Sequence, residues 1–157
     1  MPSNAKLEVS RRSLFLAAGA ALLTSGLSSK PALAEDAAVN MDQLVKETMG
    51  DGAVKMEKVT LDTPDKAENG ALVRVPVKVD HPMAADNYIQ SLAIFVDNNP
   101  KPLAAKFDFT PEMGAIQFEI RIKMAKPSKI RVIAKSNKGI LYGAAKQVEV
   151  AEGGCAG

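Results

Sequence analysis

The feature that most restricts the fold of this chain is a stretch in which apolar and polar residues alternate strictly. It lies within residues 115–123, where every second position from residue 116 carries an apolar side chain and the positions between are polar: the apolar ones are Ile116, Phe118, Ile120 and Ile122. A period of two places these side chains on one face of an extended strand and the polar ones on the other. The chain therefore contains at least one strand with a buried face and a solvated face.

Several further segments have the character of strands. Residues 72–79 alternate charged residues with valines, whereas residues 92–96 form a continuous apolar run, typical of a strand that is buried on both faces. Residues 129–134 and 147–150 are also predicted to be strands, and turn signals rich in Asn, Pro and Gly separate the segments. Pro76 lacks an amide hydrogen, so we expect its strand to lie at a sheet edge or to contain a bulge.

A short helix is predicted ahead of the strands. Asn40 is a suitable N-cap, and Gly50 ends the helical pattern after Met49. Leu44 and Val45 share one face, which we expect to dock on the sheet. Short strands without helical crossovers favour an antiparallel arrangement. We therefore predict an all-β fold, an immunoglobulin-like antiparallel β-sandwich with a short N-terminal helix and a flexible C-terminal arm. An open barrel is the alternative.

The first 34 residues have the features of a twin-arginine signal peptide. Arg11 and Arg12 stand directly ahead of a weakly apolar run, residues 14–27, which is shorter than the roughly 20 residues that a bilayer span needs. Ala34 completes a small-x-small cleavage site. We expect export to the periplasm by the twin-arginine route, with no membrane attachment after cleavage. A retained membrane anchor is the alternative.

Cleavage after Ala34 divides the chain into three parts and changes its charge. The parts are the signal peptide, residues 1–34, a domain of helix plus sandwich, residues 35–150, and a C-terminal arm, residues 151–157. The whole chain is +2, with 20 basic and 18 acidic residues, and the leader removes four basic residues and one acidic residue, which leaves −1. The remaining charges are scattered and form no basic stripe, so neither nucleic acid nor an anionic membrane is expected as a partner.

The sequence lacks the usual patterns of catalytic and metal sites. His81 is the only histidine and Cys155 the only cysteine, so a Ser-His-Asp triad lacks a nucleophile motif and a closed metal site lacks ligands. His81 stands beside Pro82 and is interpreted as a loop residue. No glycine-rich loop opens a helix, so nothing is available to hold a phosphate. We predict no metal, no cofactor and no enzymatic activity.

The C-terminal arm carries the one residue whose chemistry stands out. Cys155 has no intramolecular partner and follows the last predicted strand, in an exported protein where thiols are normally paired. An accidental thiol, an intermolecular disulfide and a working nucleophile are the three interpretations. Its neighbours have almost no side chains, so the segment is able to enter a narrow channel in another protein. They are Gly153, Gly154, Ala156 and Gly157.

Length and charge favour a cysteine that works inside another protein. The six residues past Ala151 extend at most about 20 Å. Glu152 and the terminal carboxylate disfavour the thiolate, and no basic residue close in sequence offsets them. The reactive environment is therefore expected to come from a partner that encloses the arm.

The ending Gly153-Gly154-Cys155-Ala156-Gly157 resembles the Gly-Gly-Cys-Gly-Gly terminus of the SoxY family, the sulfur carriers of the Sox sulfur-oxidation system. It departs from that terminus at Ala156, where the family typically has glycine. The resemblance extends over nearly all of the mature chain, and the twin-arginine leader and the sandwich also fit the family. Its further matching positions are His81-Pro82-Met83, Tyr88-Ile89, Asn99-Pro100, Phe107, Phe109, Pro111 and Gly114.

The resemblance implies a function for the arm. Thiosulfate-derived sulfur would be attached covalently to Cys155 by a c-type cytochrome enzyme, and the adduct would then pass between a sulfate-releasing hydrolase and a sulfur dehydrogenase. The resemblance also implies a heterodimer with SoxZ, a second β-sandwich protein that has no leader of its own. On this interpretation the chain is a periplasmic sulfur carrier and residues 153–157 are its carrier arm.

Two other functions remain open from the sequence. The chain is alternatively an exported immunoglobulin-like structural or interaction module whose terminal thiol is incidental. A thiol-disulfide enzyme is a weaker alternative, because the sequence has no Cys-x-x-Cys motif and no residue beside Cys155 that would activate it.

Overall fold

The computed structural model of this protein describes residues 39–152, in which one helix precedes nine strands. The elements are α1 (Met41–Met49), β1 (Val54–Lys55), β2 (Val59–Leu61), β3 (Lys66–Asn69), β4 (Val73–Val79), β5 (Ile89–Val96), β6 (Leu103–Asp108), β7 (Ile116–Ile122), β8 (Ser128–Ser136) and β9 (Leu141–Glu152). A single 3₁₀ turn, Pro111–Met113, connects β6 to β7.

The strands form two sheets that pack face to face. The larger sheet has the order β1-β9-β8-β5-β6, with β3 pairing to the far end of β9, and the smaller sheet has the order β2-β4-β7. The predicted sandwich is therefore confirmed, and the alternative open barrel is not formed. Two pairs differ from the predicted antiparallel arrangement, since β1 and β3 each pair with β9 in parallel.

Strand β5 shows why a continuous apolar run was needed in this position. Leu92, Ile94 and Val96 face the core between the two sheets, whereas Ala93 and Phe95 face a second, smaller cluster on the outside of the larger sheet. All five side chains are fully buried. The second cluster is completed by Val45 and Met49 of α1, by Ile133 of β8 and by Leu141 of β9. The helix therefore covers the outer face of the larger sheet.

Helix α1 begins and ends where the sequence predicts. The Asn40 side chain accepts hydrogen bonds from the backbone amides of Asp42 and Gln43, at 3.1 and 3.2 Å. These bonds satisfy two of the amides that every helix start leaves without a partner. Gly50 follows Met49 with a φ of 94°, a conformation that favours glycine.

Pro76 lies in the middle strand of the smaller sheet, so the prediction of an edge strand or a bulge was wrong. Strand β4 pairs with β7 along its whole length without a register shift. On its other side β2 ends at Leu61, opposite Val77, and the Pro76 carbonyl accepts a hydrogen bond from Asp62 N at 3.3 Å. In an antiparallel ladder the N–H and C=O of one residue face the same neighbour. The nitrogen of Pro76, which has no hydrogen to donate, therefore faces the β2 side of β4, beyond the end of β2. No hydrogen bond to β7 is lost.

Strand β9 is longer than predicted at both ends. Its first part pairs with β8 as far as Val148, and its last part pairs with β3, where Asn69 lies opposite Glu152. Ala151 and Glu152, which were predicted to belong to the arm, are thus strand residues because β3 pairs with this end of β9. Near the start of β9, a Cβ at Gly143 would lie 2.6 Å from Val54 Cγ1 and 3.2 Å from the Val132 carbonyl oxygen. Glycine permits this close approach.

Candidate functional site

The residues singled out from the sequence lie outside the described part of the chain. This holds for Cys155, for the other members of the arm and for the signal-peptide residues Arg11, Arg12 and Ala34; the arm's other members are Gly153, Gly154, Ala156 and Gly157. The described part of the chain ends at Glu152, three residues before Cys155. The structure therefore shows where the arm starts and what surrounds its starting point.

The arm starts at the end of the sandwich where β7 connects to β8. Glu152 lies opposite Asn69 of β3, and the carbonyl of the next residue, Gly70, accepts a hydrogen bond from Met124 N at 2.7 Å. Residue Ser128, the first of β8, pairs with Val148 of β9. The Gly70–Met124 hydrogen bond and the pairing of Ser128 with Val148 therefore both place residues 123–127 close to the end of β9. We call the β5–β6 turn, residues 97–102, together with the β7–β8 connection, residues 123–127, the arm-exit platform.

Two consecutive asparagines tie the two halves of the arm-exit platform together. Asn99 Oδ1 accepts from Ala125 N at 3.0 Å, and its Nδ2 donates to the Lys123 carbonyl at 2.7 Å. Asn98 Nδ2 donates to the Pro127 carbonyl at 2.8 Å, and the Asn98 amide donates to Ser128 Oγ at 2.9 Å. These bonds satisfy backbone groups that would otherwise need water as a partner. These bonds join the two loops of the platform into one hydrogen-bonded unit.

An ion pair anchors the platform to the larger sheet. Arg131 of β8 donates through Nε and Nη2 to the Asp97 carboxylate, with distances of 2.8, 3.1 and 2.8 Å. Both side chains are partly buried, and a bidentate guanidinium–carboxylate pair is one of the stronger charged interactions in proteins. Hydrogen bonding to Asp97 raises the pKa of Arg131 above its ordinary value. Asp97 is thereby engaged with β8.

Three basic side chains border a cleft next to the platform. Lys101 of the first loop, Arg121 of β7 and Lys123 of the second loop border a cleft of about 310 Å³ whose floor includes Leu103, Ile120 and Ile122. We call this the three-cation cleft. None of its three basic side chains forms an ion pair with another residue in the described part of the chain, and all three are exposed.

This grouping is not apparent from the sequence, because Lys101 is far in sequence from the other two cations. One signal was available, since residues 120–148 contain no aspartate or glutamate at all. That long stretch without acids supplies two of the three cations. The asparagine contacts then bring the third one beside them.

The platform bonds predict a stability effect. Replacing Asn99 by alanine should lower the free energy of unfolding by about 1–3 kcal/mol, because it leaves the Ala125 amide and the Lys123 carbonyl without partners. Urea unfolding measures the loss, and hydrogen exchange should quicken at the Ala125 amide. The control is Gln117→Ala, an exposed position on β7. Equal unfolding free energies for the two variants would show that the platform does not depend on Asn99.

His81 is remote from the platform. Its ring packs against Tyr142, near the start of β9, with ring centroids 5.5 Å apart, and its Nδ1 lies 2.7 Å from the Pro82 carbonyl oxygen. Its position at the opposite end of β9 from Glu152 separates it from the arm.

Within residues 39–152 there is no group of three or more His, Cys, Asp or Glu side chains that could hold a metal ion. In the same range no helix is long and apolar enough to cross a membrane.

A second surface lies on the open side of the sandwich, between the edge strands β6 and β7. Phe107, Phe109 and Phe118 form a half-exposed aromatic cluster there, with the rings of Phe107 and Phe118 5.0 Å apart at their centroids. They line an apolar cavity of about 340 Å³ together with Met113, which is 62% exposed. Neither strand has a further partner in the described part of the chain. We call this phenylalanine end of the two strands the open side; the three-cation cleft lies at their other end, beside Leu103 and Ile122.

Comparison with known proteins relates these features to a family. The model of the family described as "Sulfur oxidation protein SoxY" matches residues 45–155, a range that spans most of the chain and ends at Cys155. The chain belongs to the SoxY family. Among solved structures it is similar to the sulfur carrier protein SoxY from Chlorobium limicola f thiosulfatophilum, with 28% identity and a TM-score of 0.60 over 71% of this chain and 96% of that one.

Other structural relatives share the architecture only. The superoxide reductase (neelaredoxin) from Ignicoccus hospitalis has 21% identity and a TM-score of 0.52, covering 60% of this chain and 80% of its own. At that identity the likeness shows the fold and carries no argument about activity. No curated protein matches the chain. The SoxY membership predicted from the C-terminal motif is thus confirmed. The neelaredoxin shares only the fold with this chain.

Proposed function

We propose that this SoxY-family chain is a periplasmic sulfur carrier that holds thiosulfate-derived sulfur on Cys155 and presents it to the enzymes of the Sox system. The observation that carries the proposal is the family match through Cys155 combined with the end of the described strand at Glu152. A thiol three residues past a paired strand is tethered within a short distance of the sandwich. Three extended residues reach at most about 10 Å.

The chemistry that such a thiol supports is disulfide-type bond formation. Joining Cys155 to thiosulfate forms one sulfur–sulfur bond, releases the thiol proton and removes two electrons, which a c-type cytochrome enzyme would accept at its haem. Hydrolysis of the terminal sulfonate would then release sulfate and leave sulfur on Cys155 for a sulfur dehydrogenase. In this scheme the carrier supplies position and the partner enzymes supply catalysis, so no cofactor, metal or enzymatic activity of the carrier itself is invoked.

A SoxZ-like β-sandwich partner is part of the proposal. The open side supports it, because it places a half-exposed phenylalanine cluster between two strand edges that are unpaired within residues 39–152. A second sandwich would bury such a surface. The outer face of the larger sheet is less suited, since α1 already covers it. We expect a heterodimer that covers the phenylalanine end of β6 and β7 and leaves accessible their other end, which carries the three-cation cleft and the arm-exit platform.

Intact-mass spectrometry of the protein from the periplasm of cells oxidising thiosulfate tests the proposal. The expected spectrum contains species heavier than the mature chain by a thiosulfate group or by additional sulfur atoms, because these adducts would be covalent and stable without reductant. Peptide mapping should place them on Cys155, and treatment with a thiol reductant should restore the unmodified mass. A single unmodified mass under these conditions would instead favour the exported module with an incidental thiol.

A further inference from the structure

The short reach of Cys155 determines which surface meets every enzyme that uses it. Cys155 is three residues past Glu152, a span of at most about 10 Å. An enzyme that encloses the cysteine must therefore bring the rim of its active site against the end of the sandwich where β9 ends. That end includes the arm-exit platform, because Gly70, next to the partner of Glu152, is hydrogen-bonded to Met124.

At this end of the sandwich several basic side chains have no ion-pair partner within residues 39–152, whereas two of the acidic ones are paired. The three-cation cleft contributes Lys101, Arg121 and Lys123, and Lys126 adds a further exposed cation on the β7–β8 connection. Two nearby acids are already engaged: Asp97 by Arg131 of β8, and Glu119 of β7 by Arg74 of β4. The Arg74 hydrogen bonds also lower the pKa of Glu119.

Exposed charged residues also lie on β3 and β9, the two strands beside the starting point of the arm. Glu68 belongs to β3 and Glu149 to β9 itself, and both are exposed. Lys66 of β3, which lies opposite Glu149, is exposed as well, so the β3 side of the arm's starting point carries both signs of charge. A partner thus meets charges of both signs beside β9, and at the three-cation cleft it meets cations that have no ion-pair partner in the described part of the chain.

The shape of the three-cation cleft favours a protein surface over a small anion. A site for a small anion needs buried donors that converge on one point. Here the cationic side chains are exposed, and the cleft floor is apolar, with Ile120, Ile122 and Leu103. Exposed charges around an apolar floor are typical of a protein–protein rim, in which charge steers association and orientation.

We infer that the three-cation cleft docks a carboxylate-bearing rim beside the active-site entrance of the enzymes that act on Cys155. This inference rests on the proposed carrier function and names the surface that function uses. Docking there would bring the end of the sandwich at which β9 ends against the entrance that receives Cys155. The same cleft would serve each enzyme in turn, because the reach of the arm constrains all of them equally.

Charge reversal tests the inference with a matched control. The cleft variant is Lys101→Glu/Lys123→Glu, and the control is Lys55→Glu/Lys138→Glu, which makes the same charge change at exposed positions near the opposite end of β9. The measurement is kcat/KM of the thiosulfate-conjugating cytochrome enzyme with each full-length carrier as substrate. The kcat/KM of the cleft variant should be about 10-fold lower than that of wild type at low ionic strength. At high salt the difference should shrink to about 2-fold, since screening weakens exposed charge pairs. The control should stay within about 2-fold.

Reaction with small thiol reagents separates docking from attraction of anionic cargo. Neutral iodoacetamide and dianionic Ellman's reagent should each modify Cys155 at similar rates in wild type and in both variants. The inference is overturned if the cleft variant loses as much rate with Ellman's reagent as with the enzyme, because the cleft would then attract anions directly. It is also overturned if the cleft variant matches the control with the enzyme. A wild-type protein that the enzyme does not load would overturn the carrier function, and the docking inference with it.

Discussion

Replacing Cys155 by serine is expected to abolish thiosulfate oxidation while leaving the folded domain unchanged. A hydroxyl group is unable to form the sulfur–sulfur bond that a thiolate makes by exchange or oxidation, so no adduct is formed and every later step lacks its substrate. The measurement is thiosulfate-dependent reduction of cytochrome in a system reconstituted from purified Sox proteins. The expected rate is indistinguishable from that of a reaction without the carrier.

The fold should tolerate this change because Cys155 follows the last strand and is predicted to make no core contacts. Buried side chains of β9 such as Tyr142 and Val148 precede Glu152, and substitutions outside a packed core usually alter stability by less than about 0.5 kcal/mol. Urea unfolding of the two proteins should therefore coincide. The matched control is Ala156→Ser, which places the same hydroxyl group beside an intact thiol and should retain activity. Wild-type turnover by the Cys155→Ser protein would refute the carrier function.

Replacing Arg11 and Arg12 by lysines is expected to stop export of the chain. The change preserves the charge of the leader, so it isolates the paired guanidinium groups that distinguish the twin-arginine route from the general secretory route. The chain should accumulate in the cytoplasm with its leader attached, whereas the wild-type chain should be found in the periplasm beginning at Glu35. Cell fractionation followed by N-terminal sequencing measures both forms.

The same experiment reports on the proposed partner. The twin-arginine route carries folded cargo, so a SoxZ-like protein without a leader would travel as a passenger on this chain. It should be retained in the cytoplasm with the double-lysine variant and exported with a Lys6→Arg variant, which alters the leader outside the pair. Export of the double-lysine chain in wild-type amounts would contradict the assigned route. Export of the partner without this chain would contradict the heterodimer.

Local patterns were sufficient where one residue's environment depends on its close neighbours in sequence. The alternation of residues 115–123 is found in β7, where Ile116 and Ile122 are buried and Gln117, Glu119 and Arg121 are exposed. The apolar run in β5 indicated burial on both faces, and the structure supplies the second cover in α1. The boundaries of α1 followed from its two capping residues because capping is settled within one turn of helix.

The same local patterns failed where strand pairing was decided by distant residues. Strand β6 was missed, because an edge strand with one half-buried phenylalanine and two adjacent alanines, Ala104 and Ala105, has no regular period. Strands β1, β2 and β3 are only two to four residues long, too short to show a period. Pro76 was misplaced because its effect depends on where β2 ends, which no pattern around residue 76 reveals.

The sequence by itself determined the family, the strand-rich character of the domain and the residue that carries the proposed chemistry. Each of these depends on residue types at short spacing: the motif around Cys155, the alternation in β7 and the caps of α1. Only the tertiary structure decided that β9 continues to Glu152 beside β3 and that Asn99 brings Lys101 to Lys123. Such features arise from contacts between segments far apart in the chain, whose free energy depends on the packing of the whole sandwich and not on any local pattern.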